Sequence, residues 1–268
     1  MASDLAIVIV NWNTRDLLRD CLASLGGEQR LSYHVVVVDN GSTDESVQMV
    51  REQFPQTLLI TNAENTGFTR ANNQGLAARQ GRYALLLNSD TRVPPGALAD
   101  LAQFMDEHSD VGAVGARQLR ADGAVLPYTF GRDPTLRYLL ARGLNRLLFH
   151  RPLHDWATEI VQEVDWISGA CLLARREAID QVGLLDENIF MYFEDVDWCL
   201  RFRQAGWKVY YNPRVEIIHL GGQSQIKNPA AQHAYYRSLE YFYAKHYGAL
   251  AQFLLRISLV PYRLWGRH

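Results

Sequence analysis

Ile189-Phe190-Met191-Tyr192-Phe193 is an apolar, aromatic run that ends on three carboxylates, Glu194, Asp195 and Asp197. The chain then takes a helical pattern, with Leu200, Phe202 and Ala205 placed to face a core. Acidic groups at a helix N-terminus are stabilised by the positive end of the dipole. In its plainest reading the segment is a capped amphipathic helix with a solvated acidic first turn. The aromatic residues point further, because exposing Phe190, Tyr192 and Phe193 beside three acids makes little sense unless they line a cleft. A carboxylate in a partly apolar cleft is a candidate general base.

Three other polar clusters carry chemistry-bearing side chains: Asn11-Trp12-Asn13, Asp39-Asn40-Gly41-Ser42 and Asn88-Ser89-Asp90. Ordinary turns use the same residue types, so their placement decides their meaning. Each follows an apolar run: Leu5–Val10, Val35–Val38 and Tyr83–Leu87. Such runs read as strands buried on both faces of a parallel sheet. Leu58–Ile60 and Val111–Val114 read as two more strands. Between them lie helical patterns with Leu17, Leu18, Cys21, Leu22 and Leu25, then Val47, Val50 and Phe54, then Phe68 to Ala78, then Leu98, Leu101 and Phe104. Ser42 or Thr43 is placed to cap the second of these. Strands alternating with helices predict a doubly wound, mainly parallel α/β sheet. Ligands of such sheets bind beyond the carboxyl ends of the strands, where all three clusters fall.

Residues 117–163 lose this rhythm. Leu136, Leu139, Leu140, Leu144, Leu147 and Leu148 fall at helical spacing among Arg137, Arg142, Arg146 and Arg151, with no acid from Pro134 to His154. That is either a helix suited to an anionic membrane surface or one packed on the domain with its arginines in water. Trp166 to Ala174 reads as a strand whose Ser168-Gly169-Ala170 allows close approach of a ligand or of another strand. Trp207–Tyr211 and Val215–His219 read as two short strands. From Lys227 onward the tail is basic and aromatic, with Glu240 as its one acid.

The 268 residues suffice for one large or two small domains. A formal charge of −2 gives no sign of a nucleic-acid partner. Cys21, Cys171 and Cys199 are widely spaced and form no CxxC pair, which argues for a reducing compartment and against a disulfide framework or zinc site. Leu5–Val10 is too short for a signal peptide or a span, and no GxxxxGK[ST] or GxGxxG occurs.

Together the clusters resemble the inverting family 2 glycosyltransferases of the GT-A fold, and within them a bacterial rhamnosyltransferase-like branch. The matching stretches are Ile7–Asn13, Val38–Ser42, Asn65–Phe68, Leu87–Thr91, Phe193–Asp197 and His219-Leu220-Gly221-Gly222, in order over residues 5 to 225. The resemblance implies a GT-A domain over 1–225, with a variable basic helical insert at 117–163 and a helical, aromatic and basic extension over 226–268. It implies that Asn11 and Trp12 border a nucleotide base and that Asp39 hydrogen-bonds it. Asn65 and Gly67 approach the ribose and diphosphate. Asn88-Ser89-Asp90 stands where the family has DxD, with Asn in place of the first acid, so Asp90 is the one side-chain carboxylate left for a divalent cation, Mg2+ or Mn2+. His219 matches an additional metal ligand; a lone histidine at a strand end is otherwise structural. Asp195 is the expected base, with Glu194 positioning acceptor or base, and Trp166 and Gly169 are expected on the acceptor side.

The implied reaction is transfer of a sugar, with inversion, from a nucleotide-sugar to a saccharide or polyprenyl-diphosphate-linked acceptor in bacterial cell-surface polysaccharide synthesis. The branch favours dTDP-rhamnose, with UDP- and GDP-sugars as alternatives. A lipid-linked acceptor would account for the basic helix and tail and would hold the protein peripherally on the cytoplasmic face of the bacterial inner membrane. Two other classes remain open: a nucleotidyltransferase making an NDP-sugar, whose glycine-rich, lysine-bearing loop is missing from Asn11–Leu17, and a non-catalytic nucleotide- or sugar-binding domain.

Overall fold

The first apolar run forms β1 (Leu5–Asn11), and both of its neighbours in the sheet run parallel to it. They are β2 (Tyr33–Asp39) and β4 (Tyr83–Asn88). The other strands are β3 (Leu58–Thr61), β5 (Thr91–Arg92), β6 (Val111–Leu119), β7 (Phe130–Gly131), β8 (Gln162–Glu163), β9 (Trp166–Ile167), β10 (Cys171–Arg175) and β11 (Lys208–His219). The sheet order is β3-β2-β1-β4-β10-β6-β11-β5, with β8 on β11 and a separate β7–β9 ribbon. Helices α1 (Arg15–Leu25), α2 (Ser46–Gln53), α3 (Phe68–Ala77), α4 (Ala97–Glu107), α5 (Leu136–Phe149), α6 (Arg176–Val182), α7 (Glu194–Gln204), α8 (Pro229–His246) and α9 (Gly248–Trp265) complete the fold. This computed structural model describes residues 4–78, 80–221 and 229–265. Gly222 of the His219-Leu220-Gly221-Gly222 stretch, Lys227 at the start of the basic tail and the expected boundary at 225 lie outside the described residues.

The period-2 geometry of strands sorts the sheet's side chains into two cores. Leu5, Ile7 and Ile9 of β1, with Leu85 and Leu87 of β4, pack on α1, α2 and α4 through Leu18, Leu22, Met49, Leu98 and Leu101. Val8, Leu86 and Leu172 face the other way, onto Leu76 of α3 and Trp198, Cys199 and Phe202 of α7. The expected parallel sheet is present through β3-β2-β1-β4 and again between β6 and β11, while β10 runs antiparallel between β4 and β6 and the two-residue strands β5 and β8 run antiparallel to β11.

Four local expectations are corrected. Residues 166–174 do not make one strand: β9 pairs with β7, the chain turns at Gly169-Ala170, and β10 then joins the main sheet. The two strands expected at 207–219 are one, β11, whose register shifts between Asn212 and Glu216. Pro213 lies in that shift; with no N–H to give to a ladder, it belongs at a bulge. Helix α2 begins at Ser46, after Glu45 at φ 66°, so Ser42 and Thr43 do not cap it. The Asp44 carboxylate instead accepts the Ser46 N–H at 3.2 Å. Residues 117–119, expected within the insert, continue β6.

Helix α7 is covered on both sides. Trp198 and Phe202 enter the sheet core, while Phe193, Val196 and Leu200 pack on Leu239 and Phe242 of α8 and Leu255 of α9. Between these surfaces the Asp197 carboxylate is 0% exposed. It accepts from Arg201 Nε at 2.9 Å, Lys245 Nζ at 2.6 Å and His246 Nε2 at 2.7 Å. Burial alone would raise the pKa of Asp197, but the bonds from His246 and Lys245 and the charge of Arg201 leave it below the usual carboxylate range. Lys245 also bonds Asp186 Oδ2 at 2.7 Å. No described helix is long and apolar enough to cross a membrane.

Removing one partner of a buried ion pair leaves uncompensated charge and typically costs about 3–5 kcal/mol. Asp197→Ala should therefore lose about that much in urea denaturation. Asp16→Ala, whose pairs with Arg15 and Arg19 are exposed, should lose under about 1 kcal/mol. The depressed pKa of Asp197 stabilises the fold above its unfolded value of about 3.9, and the effect is lost as pH falls through the lower folded value. The advantage of the native chain over Asp197→Asn should accordingly shrink below about pH 4.

Candidate active site

The carboxyl ends of β2, β1 and β4 lie side by side, with Asn11 opposite Asp39 and Val10 opposite Asn88. Buried Asn11 donates from Nδ2 to Asp39 Oδ2 at 2.9 Å and to Ser42 Oγ at 3.1 Å, and its Oδ1 accepts the Thr14 hydroxyl at 2.7 Å. The Ser42 N–H donates to Asp39 Oδ1 at 3.0 Å. Thr14 and Ser89 hydroxyls are 2.9 Å apart. These bonds lock three loops from three strands into one polar floor.

Asn40 fixes the next loop. Its Nδ2 donates to Asn65 Oδ1 at 2.9 Å, and its Oδ1 accepts the Thr66 N–H at 3.0 Å. Asn65 Oδ1 also takes the Gly67 N–H at 3.0 Å. Gly67 has φ +94°, and a Cβ there would stand 2.6 Å from the Phe190 ring. The adjoining Phe68 N–H donates to the Phe190 carbonyl at 2.9 Å. The residue type and the close approach are thus one requirement: this loop must touch the loop that leads into α7.

A cleft of about 210 Å3 opens here. Trp12, Asn65, Asn88, Ser89, Asp90, Gly169, Glu194, Asp195 and His219 line it, with Tyr192 as the aromatic wall. Asn11, Asp39 and Gly67 are buried behind that lining. Trp166 stands apart: its ring lies against Gly131 and its Nε1 donates to the Arg132 carbonyl at 2.9 Å. Phe193 is buried against α8, and Asp197 faces away from the cleft.

Asp195 Oδ2 accepts the Gly169 N–H at 2.9 Å and Oδ1 the Val196 N–H at 2.8 Å. The turn that breaks the expected strand therefore supplies the donor that holds this carboxylate. Burial raises the pKa of Asp195, against the pull of the Gly169 and Val196 N–H groups. Glu194 is 5% exposed, and its Oε2 has no hydrogen-bond partner among the described residues. Burial first, and the charge of Asp195 second, hold Glu194 well above the usual carboxylate range.

At the other end, His219 Nε2 lies 3.1 Å from Asp90 Oδ1 and 3.3 Å from Asn88 Nδ2. His219 Nδ1 is 2.8 Å from Gln118 Oε1. When Nδ1–H donates there, Nε2 presents a lone pair toward Asn88 Nδ2 and the Asp90 oxygen, and a divalent cation would be held by Nε2 and that oxygen together. Two adjacent donors on an octahedral ion at about 2.1 Å stand roughly 3 Å apart, so this pair fits a small divalent ion. No group of three or more His, Cys, Asp or Glu ligands occurs among the described residues. Gln118 escaped the sequence reading because the apolar pattern of β6 stops at Val114; Asn40 was placed in a polar cluster, but its bonds to Asn65 and Thr66 join loops that the sequence keeps apart.

Comparison with known proteins gives this arrangement a class. The description Glycosyl transferase family 2 matches residues 6–182. The chain belongs to that family and is a glycosyltransferase of the GT-A fold. The N-acetylglucosaminyl-diphospho-decaprenol L-rhamnosyltransferase of Mycobacterium tuberculosis is 31% identical over 264 residues, 91% of this chain and 84% of the relative. The dTDP-rhamnosyl transferase RfbF of Shigella flexneri is 24% identical over 233 residues, 85% of this chain and 72% of that one. Among solved structures, the mannosyltransferase PcManGT from Pyrobaculum calidifontis, in complex with GDP-Man and Mn2+, superposes with a TM-score of 0.59 at 17% identity. That match covers 99% of this chain and 83% of the other.

The same substitution should act oppositely at two glycines. Gly67→Ala combines a strained φ with a clash and should lose about 1–3 kcal/mol in denaturant unfolding. Gly143→Ala, in open space on α5, should gain up to about 1 kcal/mol from helix propensity.

Proposed function

We propose that the chain transfers rhamnose, with inversion, from dTDP-rhamnose to a lipid-linked saccharide, Asp195 acting as the base. The observation that carries this reading is the Asp195 carboxylate, held by the Gly169 N–H in the same cleft as Asp90 and His219. The two rhamnosyltransferase relatives support the donor and acceptor class. Trp12, with Asn11 and Asp39 behind it, takes the nucleotide base. Asn65, Gly67, Asn88 and Ser89 take the ribose and diphosphate. Asp90 and His219 hold Mg2+ or Mn2+, which when bound offsets the charge of the leaving diphosphate.

The acceptor hydroxyl attacks the anomeric carbon as the bond to the diphosphate oxygen breaks, and its proton passes to Asp195. One displacement inverts the centre and needs no covalent intermediate. The cysteines agree: all three thiols are buried, and burial pushes each up to about 12, so none is a nucleophile at neutral pH. Glu194 positions the acceptor or the base. Gly169, with the neighbouring ribbon that carries Trp166, borders the acceptor side. Residues 1–225 form the catalytic domain, with the basic insert starting only after β6 ends at Leu119, and 226–268 form the extension.

The test is a panel of dTDP-, UDP- and GDP-sugars with and without a polyprenyl-diphosphate sugar, scored by nucleotide release. Acceptor-dependent release of dTDP, abolished by EDTA, is the expected result; release of pyrophosphate, or full activity in excess EDTA, would contradict it. Asp195→Asn should lower turnover about 10²–10⁴-fold and leave dTDP binding intact. Because the pKa of Asp195 is raised, activity should fall with acid from a point above the ordinary carboxylate value of about 3.9.

We further propose peripheral attachment to the cytoplasmic face of the bacterial inner membrane. Leu140, Leu144, Leu147 and Leu148 are exposed on one face of α5, and Leu250, Phe253, Leu254 and Ile257 on one face of α9. Basic residues beside such faces add about 1 kcal/mol each near anionic lipid. The protein should float with anionic liposomes at low salt and be released at high salt; a chain that stays unbound at low salt counts against the attachment.

A further inference from the structure

A second cavity, about 660 Å3, lies across the loop that precedes α7. Met191 and Tyr192 of that loop line the catalytic cleft, while Asn188 and Phe190 line this groove. The Ser238 hydroxyl of α8 ties the loop down by donating to the Met191 carbonyl at 2.8 Å. Cleft and groove are therefore separated by one thickness of chain.

The groove pairs apolar walls with cations. Phe190, Ala234 and Ala244 contribute apolar surface, and Arg237 and Arg256 contribute guanidinium groups. Arg256 is engaged, its Nε on Glu240 Oε2 at 2.9 Å. Arg237 is exposed and has no acidic partner among the described residues. Helix α9, which supplies Arg256, carries the exposed Leu250, Phe253, Leu254 and Ile257 on the same element. A ligand with an anionic diphosphate and a branched hydrocarbon chain matches the Arg237 guanidinium, an apolar trough and an apolar outer face together.

Resting on the lipid-linked acceptor proposed above, we infer that this groove binds the polyprenyl-diphosphate part of the acceptor. Arg237 holds the diphosphate, and Phe190, Ala234 and Ala244 flank the first isoprene units. The sugar then reaches over the Asn188–Tyr192 loop to Asp195.

The probe is farnesyl diphosphate, titrated calorimetrically into the full chain with no sugar donor present. Arg237→Glu and Ala244→Trp, both at exposed positions, should each weaken its binding at least about tenfold, while dTDP affinity stays at the native value. Short-chain phosphatidylglycerol should not displace it. The inference is overturned if the native chain does not bind farnesyl diphosphate, if both variants bind it as the native chain does, or if dTDP or phosphatidylglycerol displaces it. Because binding is read without turnover, a chain that transfers rhamnose but fails this assay loses only the groove. One that passes but transfers no sugar loses only the reaction proposed above.

Discussion

Asp197 is a carboxylate with no access to water, and its three partners are Arg201 on its own helix and Lys245 and His246 on α8. That constraint orients the rest of the site. Successive helix residues are about 100° apart, so a buried Asp197 turns Asp195, two positions earlier, to the opposite side of α7. There the Gly169 N–H meets it. Helix α7 is thus held from behind by α8 and α9 as well as from the cleft side by Gly169.

One helical turn consequently holds carboxylates in opposed electrostatic states. Glu194 and Asp195 are raised chiefly by burial, whereas hydrogen bonds and neighbouring positive charge carry Asp197 the other way despite its own burial. Environment, not residue type, divides the labour among them. Nothing in the run Glu194-Asp195-Val196-Asp197 distinguishes the three acids by itself.

That difference marks how far the sequence could be read. The buried strands and the polar clusters at their carboxyl ends were legible because strand periodicity and turn chemistry are local. The approach of Gly67 to Phe190 was not, since it joins segments more than a hundred residues apart. Nor was the insertion of β10 antiparallel between β4 and β6, because a short apolar strand carries no mark of its direction. The cations on Asp197 were hidden for the same reason: Arg201 is visible as an i+4 partner, but Lys245 and His246 looked like parts of a basic tail. Reading the acidic turn as solvated failed where tertiary packing closed over it. Gln118 lay beyond the last apolar residue by which β6 could be recognised.

The ion cluster also sets an order of events during synthesis. Chains leave the ribosome N-terminus first, at roughly 5–20 residues per second. The sheet, with β1 through β11, is complete once His219 has emerged. Helix α7 is by then present but has only Arg201 to neutralise Asp197; Lys245 and His246 arrive later. Until they do, Asp197 keeps its water, and the side of α7 that carries Phe193, Val196 and Leu200 has no hairpin to cover it. The helix bearing Asp195 is thus completed only by contacts from helices made after the last strand of the sheet.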